Sequence, residues 1–153
     1  MPKIDLDRVP AKAGSGYPPP FKATTEGRIK QALGDAGGLT QFGVNLTRLP
    51  PGAESAQRHW HEAEDELVFV VSGELVLVEE GAETPLRAGE AAAFKAGHAD
   101  GHHLVNRSAA DAVVLEIGTR ASDERGHYPD IDLVYEKRDG KIRFTNKAGE
   151  PYD

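Results

Sequence analysis

Cysteine is absent from the 153 residues of this chain, which removes disulfides and thiolate ligands from any account of its stability or chemistry. That composition is compatible with the reducing cytosol, and a cytoplasmic protein is the expectation. Basic residues are in deficit: 18 Lys and Arg stand against 25 Asp and Glu, a formal net charge of −7. A nucleic-acid surface needs a clustered basic face. Here the densest basic stretch, Lys137-Arg138 with Lys141 and Arg143, is broken by Asp139. Long hydrophobic runs are missing too. None approaches the roughly 20 residues that span a bilayer, and the opening MPKIDLDRVPAKAG contains no apolar signal segment. Neither nucleic acid nor membrane is an expected partner, which leaves small molecules. The length predicts one domain with a real hydrophobic core.

Histidine is present, and it is concentrated. All six lie between residues 59 and 127. The stretch PGAESAQRHWHEAEDELVFVVSGE holds Gly52, His59, His61, Glu66 and Gly73, and RAGEAAAFKAGHADGHHLVN holds Gly89, Gly97, His102 and Asn106. Side chains alternate along a strand, so His59 and His61 project from one face. Glu66 opens the apolar run Leu67–Val71, and a hairpin returning across that face sets it beside both histidines. His102 then arrives from a more distant strand. Three imidazoles and a carboxylate form the donor set of a first-row transition-metal site. A lone His-x-His reads more readily as the polar side of a surface strand, but the clustering, the Glu66 offset and the flanking glycines favour the metal.

These residues resemble the two motifs of the cupin superfamily, commonly written G-x5-HxH-x3,4-E-x6-G and G-x5-P-x-G-x2-H-x3-N. The first runs from Gly52 to Gly73 and the second from Gly89 to Asn106. Three departures are visible: six residues separate Gly52 from His59 instead of five, Lys95 stands where the family has proline, and four residues separate Gly97 from His102 instead of two. HWHEAEDELVFVVSGE and FKAGHADGHHLVNRS, with the later YPDIDL, are similar to small bacterial single-domain cupins, some of which are labelled sugar-phosphate isomerase. The resemblance implies an all-β, double-stranded β-helix (jelly-roll) barrel and a metal held by His59, His61, Glu66 and His102. It also implies a homodimer. His102 and His103 are adjacent and point to opposite faces of a strand, and the three-residue gap to Asn106 favours His102 as the ligand.

The chain divides into an N-terminal arm with a short helix (1–37), the β-barrel (38–120) and a C-terminal extension with a hairpin (121–153). In the arm, Tyr17-Pro18-Pro19-Pro20-Phe21 favours polyproline II and cannot join a central strand. It reads either as a segment packing on a partner subunit or as a loosely held tail. Thr24 or Thr25 caps a predicted helix through Leu33, ended by Gly34. Strand patterning begins at Leu39–Leu49 and continues through both motifs to Ala112–Ile117. Glu80-Gly81 and Asp139-Gly140 are hairpin signals, the second joining Asp132–Glu136 to Lys141–Phe144. Leu67–Val71 is apolar on both faces, so its outward set, Leu67, Phe69 and Val71, requires a second layer or another subunit.

Three neutral imidazoles and one carboxylate leave a divalent iron, manganese, nickel, cobalt or zinc ion near +1. In octahedral geometry two positions stay open for a bidentate oxygen ligand. Such a cation acts as a Lewis acid on a developing oxyanion while a side chain moves the proton. Candidates for that base are Glu64, His98, His127 and Tyr128. Three functions follow: an isomerase or lyase acting on a small oxygenated metabolite, an iron-dependent dioxygenase, or a ligand-binding module without turnover. A phosphorylated substrate would need a cationic pocket. Lys95 and Arg107 flank the second motif, and no phosphate loop is recognisable.

Overall fold

The alternation of apolar and polar residues resolves into short strands in the computed structural model, which describes residues 2–152. In chain order they are β1 (Ala11–Ala13), β2 (Ile29–Ala32), β3 (Phe42–Leu49), β4 (Trp60–His61), β5 (Glu66–Ser72), β6 (Glu74–Glu79) and β7 (Ala82–Arg87). There follow β8 (Ala91–Phe94), β9 (His103–Val105), β10 (Ala112–Thr119), β11 (Glu124–His127), β12 (Val134–Arg138) and β13 (Lys141–Thr145). One helical turn, α1 (Leu33–Ala36), links β2 to β3. Three sheets result, ordered β1-β2-β3-β10-β5-β8, β7-β6-β9 and β13-β12-β11-β4. This is the expected double-stranded β-helix.

The main core lies between the first two sheets. Leu49, Val68, Val70, Ala112 and Val114 of the large sheet meet Leu75, Leu77, Leu86 and Leu104 of the small one. Each buried Val or Leu side chain contributes about 1.5–3 kcal/mol of transfer free energy. The crossing from β5 to β6 moves the chain from one sheet to the other at Gly73. Its φ is +78°, and a Cβ there would stand 2.7 Å from the Asp111 carbonyl oxygen, so only glycine fits. The Asp139-Gly140 hairpin forms as expected, with both residues at positive φ, the type I′ geometry that matches strand twist. Glu80-Gly81 likewise turns β6 into β7.

Two expectations for the arm are corrected. Residues 29–32 are a strand, not the end of a helix: β2 pairs with β3 in the register Lys30↔Thr47, and α1 begins where Gly34 was expected to stop the chain. The open edge of β3 supplies hydrogen bonds that outweigh local helix preference. The Tyr17–Phe21 segment is not a loose tail. Tyr17 is buried against this chain's own Tyr128, Leu133 and Phe144, and Gln57 N donates to its hydroxyl. Outward-facing Leu67, Phe69 and Val71 are 40%, 39% and 49% exposed. No helix among the described residues is long and apolar enough to cross a membrane.

Candidate metal centre

His59 is placed by an isolated antiparallel bridge to His102, in which each backbone N–H reaches the other's carbonyl oxygen at 3.2 and 2.9 Å. Directly opposed residues on paired strands share a face, so this bridge turns two histidines far apart in sequence toward one point. His61 follows on the same face of β4, opposite Gly126 of β11. Glu66 begins β5 between Phe94 of β8 and Gly118 of β10. All four expected ligands therefore converge.

Glu66 is the hub. Its Oε2 lies 2.7 Å from His102 Nε2, and its Oε1 lies 3.0 Å from His61 Nε2 and 3.8 Å from His59 Nε2. The donor atoms of His59, His61 and Glu66 all lie within 4.8 Å of one another. His59 Nδ1 is 2.7 Å from the Gln57 carbonyl oxygen, which fixes the proton on Nδ1 and turns the Nε2 lone pair inward. Phe94 stacks flat on the His102 ring, with centroids 3.5 Å apart and planes 2° apart, and holds its orientation.

The electrostatics follow from this crowding. Burial opposes ionisation of Glu66, but its contacts with the imidazoles of His102, His59 and His61 outweigh it and hold the carboxyl well below its usual range. Burial also works against the His61 imidazolium, yet Glu66 raises its pKa overall. At His102 burial prevails and the pKa falls. An anionic carboxylate ringed by three inward nitrogens is a site that calls for positive charge, and a divalent cation fits this donor set. His61 Nδ1 is buried without a hydrogen-bond partner, 3.9 Å from Glu124 Oε1. That carboxylate accepts backbone N–H bonds from Glu62, Ala63 and Arg125. Glu124 thus stands behind His61, beyond hydrogen-bond distance of the ring. Nothing in the sequence marks it, since its partners come from a distant loop.

The other residues singled out from sequence are dispersed. His103 turns from Glu66, its Nδ1 lying 2.8 Å from the Ala56 carbonyl oxygen. Asn106 is a structural clamp: it is fully buried and its amide donates to the Leu49 and Ala110 carbonyls. Glu64 borders the central cavity beside His59 and accepts from Lys137 at 2.8 Å. His98 is exposed, in a depression that it shares with His61, Glu64 and His102. His127 stacks on Trp60 at 4.3 Å and pairs with Glu62, on the strand face opposite His59 and His61. Tyr128 is buried with its ring 5.7 Å from that of His59, and burial together with Tyr17 pushes its phenol well above the usual value.

Two residues unmarked in the sequence complete the surroundings. Arg58 is 8% exposed and binds Asp130 through two nitrogens, Glu80 at 2.7 Å and the Gly101 carbonyl at 3.1 Å. The two additional residues between Gly97 and His102 are accommodated here, tied down by Arg58 and packed under Pro129. Glu116 faces the cavity from β10 and is held by the Thr47 hydroxyl and by Lys30 at 3.5 Å. The cavity, about 250 Å³, has His59, Glu66, His102 and Phe94 on one wall and Asn45 and Glu116 on the other.

The family model described as "Cupin domain" matches residues 45–118. A crystal structure of a cupin-superfamily sugar phosphate isomerase from Silicibacter pomeroyi is 47% identical, covers 99% of this chain and 97% of its own, and superposes with a TM-score of 0.94. A structure from Acidithiobacillus ferrooxidans, provisionally named a sugar phosphate isomerase, is 32% identical over 79% of this chain and 77% of its own, with a TM-score of 0.74. A polyketide cyclase from Streptomyces resistomycificus, 18% identical over 78% of this chain and 79% of its own, shares the fold at a TM-score of 0.64. No curated protein matches the chain.

Proposed function

This chain belongs to the cupin superfamily, and we propose that it is a metal-dependent enzyme acting on a small oxygenated metabolite, with isomerisation of a sugar or sugar phosphate as its specific form. The observation that carries this reading is the convergence of His59, His61 and His102 Nε2 on Glu66 at the wall of the central cavity. His59, His61, Glu66 and His102 would hold one divalent transition metal. When bound, that ion supplies Lewis-acid stabilisation of an oxyanion developing on the substrate.

The chain's own residues do the rest. His59 is locked in one tautomer by Gln57, and His102 is clamped by Phe94, so the donor geometry is set before substrate arrives. Two glycines, Gly43 and Gly118, lie beside Glu66 on the inner sheet face and leave room for substrate carbons. Among the candidates for moving the proton, Glu64 stands at the cavity wall and is favoured over His98, His127 and Tyr128. The two relatives named as sugar phosphate isomerases support the narrower form. The outward apolar face bearing Leu67, Phe69 and Val71 supports a homodimer.

Elemental analysis of the purified protein beside His59→Ala is the first test. About one transition metal per chain, lost in the variant, is expected. Metal-loaded protein is then incubated with aldose and ketose phosphates in deuterated water, where solvent deuterium should enter the carbon next to the carbonyl. Oxygen uptake instead, with iron and not with zinc, would replace isomerisation with oxidation.

A further inference from the structure

The N-terminal segment builds a second cavity, of about 550 Å³, against the outer strands of the large sheet. Its walls include Lys12 of β1, Arg28 and Lys30, together with the Gly14-Ser15-Gly16 turn, and no carboxylate-bearing residue. Three cations without an acid are notable in a chain of net charge −7. Lys30 lines this cavity and the one containing Glu66, so the two spaces share a wall.

The placement of these charges is unfavourable unless an anion joins them. β1 and β2 pair in the register Lys12↔Lys30, which sets the two lysines opposite each other on one sheet face. Like charges opposed across strands are destabilising. Among the described residues Lys12 forms no ion pair, and Lys30 has only Glu116, at 3.5 Å on the side of the central cavity. Arg28 gives its guanidinium to neutral oxygens: Gly14 O at 2.9 and 3.2 Å, and Ser55 O at 2.6 Å. These bonds fix the turn over the cavity while leaving the charge uncompensated.

We propose that this cavity is a phosphate subsite, in which Lys12, Lys30 and Arg28 hold the phosphate of a substrate whose oxygenated carbons extend past Lys30 toward Glu66. The assignment deepens the function proposed above and rests on it for the identity of the reacting end. Phosphate is the anion of choice because two lysines paired across β1 and β2 and a guanidinium match a dianion with three terminal oxygens better than a single carboxylate. Lys30 is then the selector between the cavities, binding phosphate on one side and Glu116 on the other. The sequence conceals all this, because Lys12 and Lys30 are remote until β1 pairs with β2.

The test uses the full-length, metal-free protein and inorganic phosphate, followed by titration calorimetry. Saturable binding of one phosphate per chain is expected. Lys12→Gln and Lys30→Gln should each weaken it at least tenfold, and Lys30→Arg should restore most of it. Lys141→Gln, the same charge change on the remote hairpin, should stay within twofold of the wild type. Lys12→Gln should also melt no lower than wild type without phosphate, because it relieves repulsion. Absence of saturable binding, equal weakening in Lys141→Gln, or malonate binding as tightly as phosphate would overturn the assignment. Since no metal is needed, a protein that binds phosphate but retains no metal would sink the proposed enzyme and leave the subsite standing.

Discussion

The inner face of the large sheet has two ends that obey the same alternation and serve opposite ends. At one, Leu49, Val70, Ala112 and Val114 are completely buried and close-packed against the small sheet. At the other, a few residues along the same strands, the inward positions are Glu66, Glu116 and Asn45, with glycines at 43 and 118. Strand geometry is continuous across both. Only the residue type at inward positions changes, from hydrocarbon to ionisable group or to no side chain at all. The apolar end supplies stability, and the polar end draws on it to hold a carboxylate and three imidazoles away from bulk water.

Substitutions that exchange the properties of the two ends test that division. The largest effect should come from the polar end: His59→Ala or His102→Ala is expected to reduce metal content by more than tenfold while circular dichroism still reports a folded β-protein. His103→Ala, whose ring bonds to Ala56, should keep its metal. Equal loss in all three would overturn the choice of His102 over His103 as the ligand. At the apolar end, Leu49→Ala should lower unfolding free energy in urea by about 2–5 kcal/mol with metal content per folded chain unchanged. A Leu49→Ala protein that folds but has lost its metal would show that the two ends are not separable.

A smaller effect is expected where the C-terminal segment is pinned behind His59. Arg58 holds the Asp130 carboxyl below its ordinary value. A depressed acid contributes stability above its unfolded pKa of 3.8 and loses it as pH falls through the lower folded value. Asp130→Asn should therefore cost about 1 kcal/mol near neutrality, the scale of a partly exposed ion pair, and the difference from wild type should vanish in acid. A pH-independent difference would mean that shape, not charge, anchors this segment. The smallest change is expected at Tyr135, whose phenol is raised to about 12 by burial and by Glu64 and Glu124. The neutral phenol is the form the fold favours, so its contribution is complete below pH 10 and disappears as pH rises toward 12. Tyr135→Phe should flatten that alkaline decline in urea midpoints.

How much of this was legible beforehand depended on distance along the chain. The parity of His59 and His61, the offset to Glu66 and the gap from His102 to Asn106 are local quantities, and strand geometry converts them directly into directions in space. The Asp139-Gly140 turn was legible for the same reason. Arg58, Glu116 and Glu124 were not, because each is defined by partners up to 72 residues away. The helix expected over residues 24–33 failed because a free strand edge competed for the same backbone, a competitor that local propensity does not register.

The amino-acid sequence by itself determined which side chains share a face, where the chain turns, and that three imidazoles and a carboxylate lie within two short motifs. The tertiary structure decided the rest: the bridge that joins His59 to His102, the carboxylate behind His61, and the pairing that sets Lys12 against Lys30. Covalent spacing controls direction over a few residues, whereas long-range pairing is chosen by the collective burial of both sheets.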